Sequence, residues 1–322
     1  MTKRIVSFSV VILGLISMTI YAAITGSIPI TAWEFVQATF GVENENFIVI
    51  KDLRIPRILI AIFAGAALSV AGALLQAVMR NPLADAGIIG ISSGAAFIQM
   101  LIITMFPALI LFTPVLSFVG GAIACSLVFA LSWKSGLNPL KIILVGIAIS
   151  AMFTGLYEAF ITVCGYMGVM VQGTNSSSLS MKTWNDVSMI TTYGTIGLIL
   201  AVVIFKWCNI LALQDKTAKS LGFNVNRARI VAGMVAVLLA GVATAVAGVI
   251  SFVGLLVPHI SRRLVGADHK YLIPFSALAG ALLILTADTL GRIVLYPSEI
   301  PASTLMAIIG GPFLIFLIRK DK

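Results

Sequence analysis

The chain has 322 residues, of which 60% are hydrophobic and 10% are charged, and its formal net charge is +9. A soluble globular domain carries about 25% charged residues, so this composition excludes that class and indicates a protein that lies in lipid. The basic residues fall between apolar segments and form no separate basic stripe, which argues against nucleic-acid binding.

Ten apolar segments, separated by charged or turn-forming residues, predict an all-α polytopic membrane protein with about ten transmembrane helices. A helix of about 20 apolar residues can cross the hydrocarbon core of a bilayer. The first segment follows Lys3 and Arg4, as in a signal peptide, but its length favours a first transmembrane helix. We treat 1–322 as one membrane domain. The predicted spans are 5–24, 58–78, 87–106, 114–133, 142–164, 188–207, 229–248, 250–264, 272–289 and 302–318.

The distribution of lysine and arginine predicts the orientation of these helices. With the N-terminus in the cytoplasm, 16 of the 21 basic residues lie on the cytoplasmic side and the other 5 lie outside. Both termini are then cytoplasmic, and the chain is a multi-pass protein of the cell membrane. The outer cations are Lys51, Arg54, Arg57, Lys182 and Arg292.

Three of these outer cations, Arg54, Arg57 and Arg292, need an explanation besides topology. Arginine binds carboxylates through two parallel hydrogen bonds, so an acidic partner that docks from outside would account for them. Contact with lipid headgroups is the alternative that the sequence leaves open.

The longest polar stretch on the cytoplasmic side, Asp215–Asn224, lies within a segment at about 211–227. Ala218 and Leu221 are three residues apart, so they are predicted to share one face of a short helix, which Gly222 would end. A short amphipathic helix on the cytoplasmic face is a suitable docking element for a partner protein. A solvated loop is the alternative.

Two carboxylates fall inside predicted spans, and such residues are candidates for function because a charge in lipid is costly. Asp288 is close in sequence to Arg292 and is predicted to form a local ion pair with it. Glu158 could line a transport pathway or reach an interface. The pathway candidates are Met152, Tyr157, Glu158 and Met170, with core packing as the alternative for Met152, Tyr157 and Met170.

The sequence carries no convincing catalytic motif. It has no G-x-x-x-x-G-K-[ST] phosphate-binding loop, so ATP hydrolysis is expected in a separate subunit. Its three cysteines show no metal-binding spacing. Of its two histidines, His259 is predicted to be structural and His269 to lie in a cytoplasmic loop. We therefore expect a transport subunit and not an enzyme, with no metal site and no bound cofactor.

Several motifs together resemble the FecCD-type permeases, the membrane subunits of ABC importers for iron-siderophores, haem and cobalamin. The similarity covers nearly the whole chain, although the stretch between Tyr166 and Trp184 departs from the family's pattern. The segments that carry the resemblance are Leu53–Arg57, Gln76, Arg80–Ala84, Gly90–Gly94, Leu221–Arg227, Phe252–His259, Glu299–Pro301 and Ile309–Phe313.

The resemblance implies the type II ABC importer permease fold, with ten helices per subunit and a homodimer, or a heterodimer, around a central pathway. It also implies two cytoplasmic ATPase subunits, an extracytoplasmic substrate-binding protein, and an iron chelate, haem or a ferric siderophore, as substrate. Arg54, Arg57 and Arg292 match the family's arginines that contact the binding protein. The stretch that includes Ala218, Leu221 and Gly222 matches its ATPase-coupling helix.

Three alternatives to this interpretation remain at the level of sequence. A cobalamin importer belongs to the same family. An ion-coupled secondary transporter would need a carboxylate near the membrane midplane, and Glu158 is the best candidate for it. An intramembrane enzyme would need a catalytic set of residues that the motifs above do not supply.

Overall fold

A computed structural model describes residues 2–26, 33, 49–87, 89–133, 139–169, 171, 179–295 and 298–320 of the chain. These residues form twelve α-helices, and no β-strand occurs among them. A π-helical turn at Val49–Arg54 precedes α2, and a 3-10 turn at Pro107–Phe112 separates α3 from α4.

The helices are numbered in chain order. They are α1 (Thr2–Ile24), α2 (Ile55–Met79), α3 (Ile91–Met105), α4 (Thr113–Trp133), α5 (Pro139–Tyr166), α6 (Trp184–Val203), α7 (Phe205–Leu211), α8 (Asp215–Ser220), α9 (Val225–Ala247), α10 (Val253–Val265), α11 (His269–Val294) and α12 (Ala302–Lys320).

The prediction of an all-α membrane protein is confirmed, since each of the ten predicted spans overlaps a helix. Seven of the described helices are long and apolar enough to cross a membrane, namely α1, α2, α4, α5, α6, α9 and α11. Two shorter apolar helices, α3 and α12, accompany them.

The eighth predicted span, 250–264, corresponds to a short helix. The helix found there, α10, has 13 residues, so at 1.5 Å per residue it extends about 20 Å, short of the ~30 Å hydrocarbon core. The chain breaks before it because Gly248 and Phe252 both have positive φ angles, of 78° and 70°. α10 is therefore a short helix that begins inside the bundle.

The centre of the bundle is formed by α2 and α9, most of whose residues are buried, whereas α1 lies at the periphery. Glycines allow the backbones to approach closely in the centre. A Cβ atom at Gly72 would meet the backbone of Gly254 on α10, and one at Gly65 would meet the carbonyl of Gly280 on α11. Ser69 adds a hydrogen bond of 2.6 Å to the backbone oxygen of Ser276.

Charged side chains form separate clusters at the two ends of α2. Arg57 lies near the first residue of α2, and Arg80 immediately follows its last residue. We call these positions the Arg57 end and the Arg80 end of the bundle.

Candidate functional site

A cavity of about 460 Å³ lies where the loop between α2 and α3 meets α5 and the segment that leads into α10. Hydroxyl groups dominate the polar part of its lining. The lining residues are Asp85, Gly87, Ser92, Ser93, Ala96, Ser150, Thr154, Tyr157, Val249, Ser251, Phe252, Leu255 and Leu314.

Asp85 is the only carboxylate among the described residues that line this cavity. The backbone N–H of Ala86 donates to its Oδ1 at 2.8 Å, and the backbone N–H of Phe252 also donates to the carboxylate. Burial raises the pKa of Asp85 to about 6, although these two hydrogen bonds act in the opposite direction. The carboxylate thus ties the loop between α2 and α3 to the residue that precedes α10.

Two serines join the same loop to α5. Ser150 Oγ donates to the carbonyl of Gly87 at 3.1 Å, and Ser93 Oγ donates to the carbonyl of Gly90 at 3.1 Å. The two hydroxyls are 3.4 Å apart. Because hydroxyl groups both donate and accept hydrogen bonds, the cavity can exchange weak contacts with a polar solute that passes through it.

The structure separates the predicted pathway residues. Tyr157 lines the cavity and is 7% exposed. Met152 and Glu158 are also on α5, but they are exposed and are not among the described lining residues, because successive helix positions are rotated by about 100°. Met170 lies outside the described residues.

At the Arg57 end, a network of ion pairs surrounds Arg57. Its guanidinium pairs with Asp288 at 2.9 Å and with Glu299 at 2.9 Å, and Nη1 also donates to Ser180 Oγ at 3.1 Å. The side chains of Arg57 and Asp288 are only 12% and 3% exposed. The predicted ion pair between Asp288 and Arg292 is present at 3.5 Å. The partnership of Arg57 with Asp288 was not predicted.

The other two arginines at this end satisfy backbone carbonyls at the C-terminus of α1. Arg54 Nη1 donates to the carbonyls of Ala23 at 2.7 Å and Ile24 at 2.9 Å. Arg292 donates to the carbonyls of Ala22 at 3.4 Å and Thr25 at 3.3 Å. Cations are favourable there because the last carbonyls of a helix lack partners and carry partial negative charge.

The three arginines predicted to contact a binding protein are therefore brought together at one end of the bundle. Each is largely buried and already bonded within the chain. Glu299 is more exposed than the arginines. Burial raises the pKa of Glu299, but the hydrogen bond from Ser180 and the charge of Arg57 together lower it by more, so the pKa lies below its ordinary value. The bonded cluster at this end combines three arginines with two carboxylates.

At the Arg80 end, Asp215 in the first turn of α8 connects two arginines. It pairs with Arg80 at 3.0 Å and with Arg229 of α9 at 2.8 Å. Arg229 is fully buried and also donates to the carbonyl of Val78. Asp215 therefore links α8 to the end of α2 and the start of α9. Sequence reasoning included Asp215 in the polar stretch but assigned it no role.

The predicted coupling residues lie on and just after α8. Gly222 has a φ of 74°, so it ends the helix as predicted. The expectation that Ala218 and Leu221 share one face is wrong, because α8 ends at Ser220. Ala218 is buried, whereas Leu221 lies beyond the helix and is 68% exposed.

The two histidines occupy packed positions at the same end. The Asn209 side-chain oxygen lies 2.8 Å from both the backbone nitrogen and Nδ1 of His269. Because the backbone N–H must donate, that oxygen is an acceptor, and Nδ1 carries the ring proton in the neutral form. His259 makes an edge-to-face contact with Phe313.

A family model, relatives in sequence and a solved structure each match nearly the whole chain. The FecCD transport family matches residues 12–320. The "Probable heme-iron transport system permease protein IsdF" of Staphylococcus aureus strain bovine RF122 / ET3-1 is 41% identical over 321 residues, covering 99% of this chain and 97% of that protein. Its counterpart from strain MSSA476 is 40% identical over 320 residues.

A solved structure shows the same architecture. One chain of a metal-chelate type ABC transporter in an inward-facing conformation superimposes with a TM-score of 0.82 and 27% sequence identity. The match covers 98% of this chain and 99% of that chain.

Proposed function

This chain belongs to the FecCD transport family, and from that membership we propose that it carries an iron chelate across the cell membrane. It is a multi-pass membrane permease of an ABC transport system, so it is a transport subunit and not an enzyme. A permease of such a system works with ATPase and substrate-binding partners. The observation that carries the proposal is the 41% sequence identity, over almost the full length of the chain, to a protein named as a heme-iron permease.

Haem is the substrate that the sequence relatives favour, with a ferric siderophore or cobalamin as the outcomes that a direct test must separate. The cavity beside α5 would form part of the pathway, with Tyr157, Ser150 and Asp85 in its wall. Its hydroxyl-rich lining suits transient contact and not tight retention, as a pathway requires.

The Arg57 end would face outward and the Arg80 end would face the cytoplasm. The excess of lysine and arginine predicted for the cytoplasmic side supports this orientation. Both chain termini would then be cytoplasmic. We expect two permease chains, identical or related, to enclose the pathway, with an ATPase subunit below each of them.

Two surfaces would serve the partners. The three arginines at the Arg57 end are bonded within the chain but exceed the two carboxylates paired with them by one charge. This end would therefore present a positive potential to the carboxylates of a substrate-binding protein. At the opposite end, α8 and the exposed Leu221 would contact the ATPase. Asp215 would transmit movement of α8 to Arg80 and thus to the loop that carries Asp85.

The proposal is tested by uptake of radiolabelled iron into vesicles that contain the chain with its ATPase and binding protein. Iron is offered as haem or as ferric siderophore, labelled cobalamin is offered separately, and an inactive ATPase serves as the control. We expect ATP-dependent uptake with haem preferred, and unchanged uptake for Glu158→Gln. Uptake that continues with the inactive ATPase and stops in Glu158→Gln would favour the ion-coupled alternative.

A further inference from the structure

The last turn of α10 and the first turn of α1 form a depression of about 440 Å³ at the Arg80 end. Its described lining contains four cations and no carboxylate. The cations are Lys3, Arg4, Arg262 and Arg263, and the remaining lining residues are Leu264, Val265 and Gly266.

One carboxylate near the depression, Asp268, interacts electrostatically with Arg4 but does not line it. Among the described residues, none of the four forms an ion pair. Arg262 donates instead to the side-chain oxygen of Gln76, and Lys3 Nζ donates to the backbone oxygen of Arg263 at 3.2 Å. The C-terminus of α10 supplies only about half a negative elementary charge, so the depression stays strongly positive.

Local packing holds the cations in place. The guanidinium of Arg4 lies over the ring of Tyr271, 4.4 Å from its centroid. Gly266 has a φ of 94°, and a Cβ atom there would lie 3.3 Å from Arg4 Nη2. The glycine therefore both ends α10 and leaves space for the arginine. A neighbouring cleft of about 440 Å³ shares Arg262 and Arg263 and continues to Arg80.

An apolar surface begins directly beside the depression. α1 is a candidate membrane span of which few residues are buried. Side chains that are more than half exposed follow Arg4 along it: Ile5, Val6, Val10 and Leu13. A molecule with an anionic head and an apolar tail would match both surfaces at once.

We propose that this depression binds the phosphate group of an anionic phospholipid from the leaflet at the Arg80 end, with the acyl chains along α1. Basic pockets between transmembrane helices bind such headgroups. The positive-inside rule explains why cations lie at one end of the bundle. It does not require four of them to converge on one depression without a carboxylate.

The test measures lipid binding by native mass spectrometry of the full-length chain purified in detergent. Phosphatidylglycerol and zwitterionic phosphatidylcholine are the two probes. The test variant is Arg4→Gln/Arg263→Gln, which keeps Lys3 because N-terminal charge helps to set orientation. The matched control is Lys141→Gln/Lys206→Gln, which removes two exposed cations that do not line the depression.

We expect wild type to prefer phosphatidylglycerol over phosphatidylcholine. Each cation removed should weaken phosphatidylglycerol binding about fivefold, hence about 25-fold for the test variant, with the control unchanged. Arg4→Lys/Arg263→Lys, which keeps the charge, should retain most of the binding. Equal binding of both lipids, or equal losses in test and control variants, would overturn the proposal.

Two further results would also overturn it. If millimolar glycerol 3-phosphate displaces phosphatidylglycerol, the depression is a site for soluble phosphate compounds and not for lipid. If Arg4→Gln/Arg263→Gln keeps its lipid but loses the ATPase subunit during co-purification, the depression is a protein-docking surface.

Discussion

Arg57 and Asp288 are 231 positions apart in sequence, yet the guanidinium and the carboxylate lie 2.9 Å apart, with both side chains nearly excluded from solvent. The contact joins the first turn of α2 to the last two turns of α11. Two helices that carry much of the buried core are thus fastened at the Arg57 end.

Removing one partner of this pair should destabilise the chain. Each side chain keeps a second partner, Arg292 for Asp288 and Glu299 for Arg57. Arg57→Gln or Asp288→Asn should therefore each lower the free energy of unfolding by less than the ~3–5 kcal/mol of a buried charge left unpaired. The double variant should lose less than the sum of the two single losses. Unfolding of the purified chain measures these effects, with the exposed Lys216→Gln as the control. Strictly additive losses would show that the two side chains do not interact.

Glu299 should make stability depend on pH only in acid. Its pKa is lowered in the folded chain from the ordinary 4.5. The contribution of the ionised carboxylate is therefore complete above about pH 4.5 and is lost as the pH falls through the lower folded value. We expect the difference in unfolding midpoint between wild type and Glu299→Gln to be constant from about pH 7 to 5 and to shrink below. A difference that already shrinks between pH 7 and 5 would be inconsistent with this pair.

Gly72 and Gly155 should respond in opposite ways to alanine. A Cβ atom at Gly72 would collide with the backbone of Gly254, so Gly72→Ala should cost at least about 1–3 kcal/mol of stability. Nothing lies within 4 Å of a Cβ atom at Gly155, where alanine should be neutral or stabilise α5 by up to about 1 kcal/mol. Unfolding of the two variants compares them, and a tolerated Gly72→Ala would refute the close helix contact.

Asp215→Asn should uncouple transport from ATP hydrolysis. The substitution removes the carboxylate that Arg80 and Arg229 share, while α8 itself remains on the surface. We expect uptake per ATP hydrolysed to fall severalfold in reconstituted vesicles. Lys219→Gln, an exposed change on the same helix, should keep the ratio of wild type. An unchanged ratio in Asp215→Asn, with the chain folded, would remove Asp215 from the coupling proposal.

Much of the fold could be predicted from the sequence, because lipid imposes a simple rule. Each crossing needs a long apolar segment, and the loops reveal themselves by lysine and arginine. The rule placed the start of the eighth span at 250, three residues before the helix begins, because apolar composition there does not show that the backbone breaks at Phe252. It also could not distinguish Tyr157, which lines the cavity, from Glu158, the next residue on the same helix.

Contacts between distant residues could not be predicted in this way. The ion pair of Asp288 with Arg292 follows from local spacing, whereas its partnership with Arg57 depends on how α2 packs against α11. Arg54 and Arg292 were predicted to be cations on the outer surface, but they donate to backbone carbonyls at the C-terminal end of α1. The residues next to Arg54 and Arg292 in the sequence do not indicate that these side chains contact α1.

The most direct test measures ATP-driven uptake of the iron chelate by vesicles that contain wild type, Ser150→Trp or Ser126→Trp. It tests both the importer function and the proposed pathway. Ser150→Trp fills the cavity next to Tyr157, whereas Ser126→Trp adds the same bulk to an apolar groove between α4 and α9. We expect uptake to require ATP in wild type, to persist in Ser126→Trp and to be abolished in Ser150→Trp. Full uptake by Ser150→Trp would contradict the proposed pathway, and uptake without ATP in wild type would contradict the importer function.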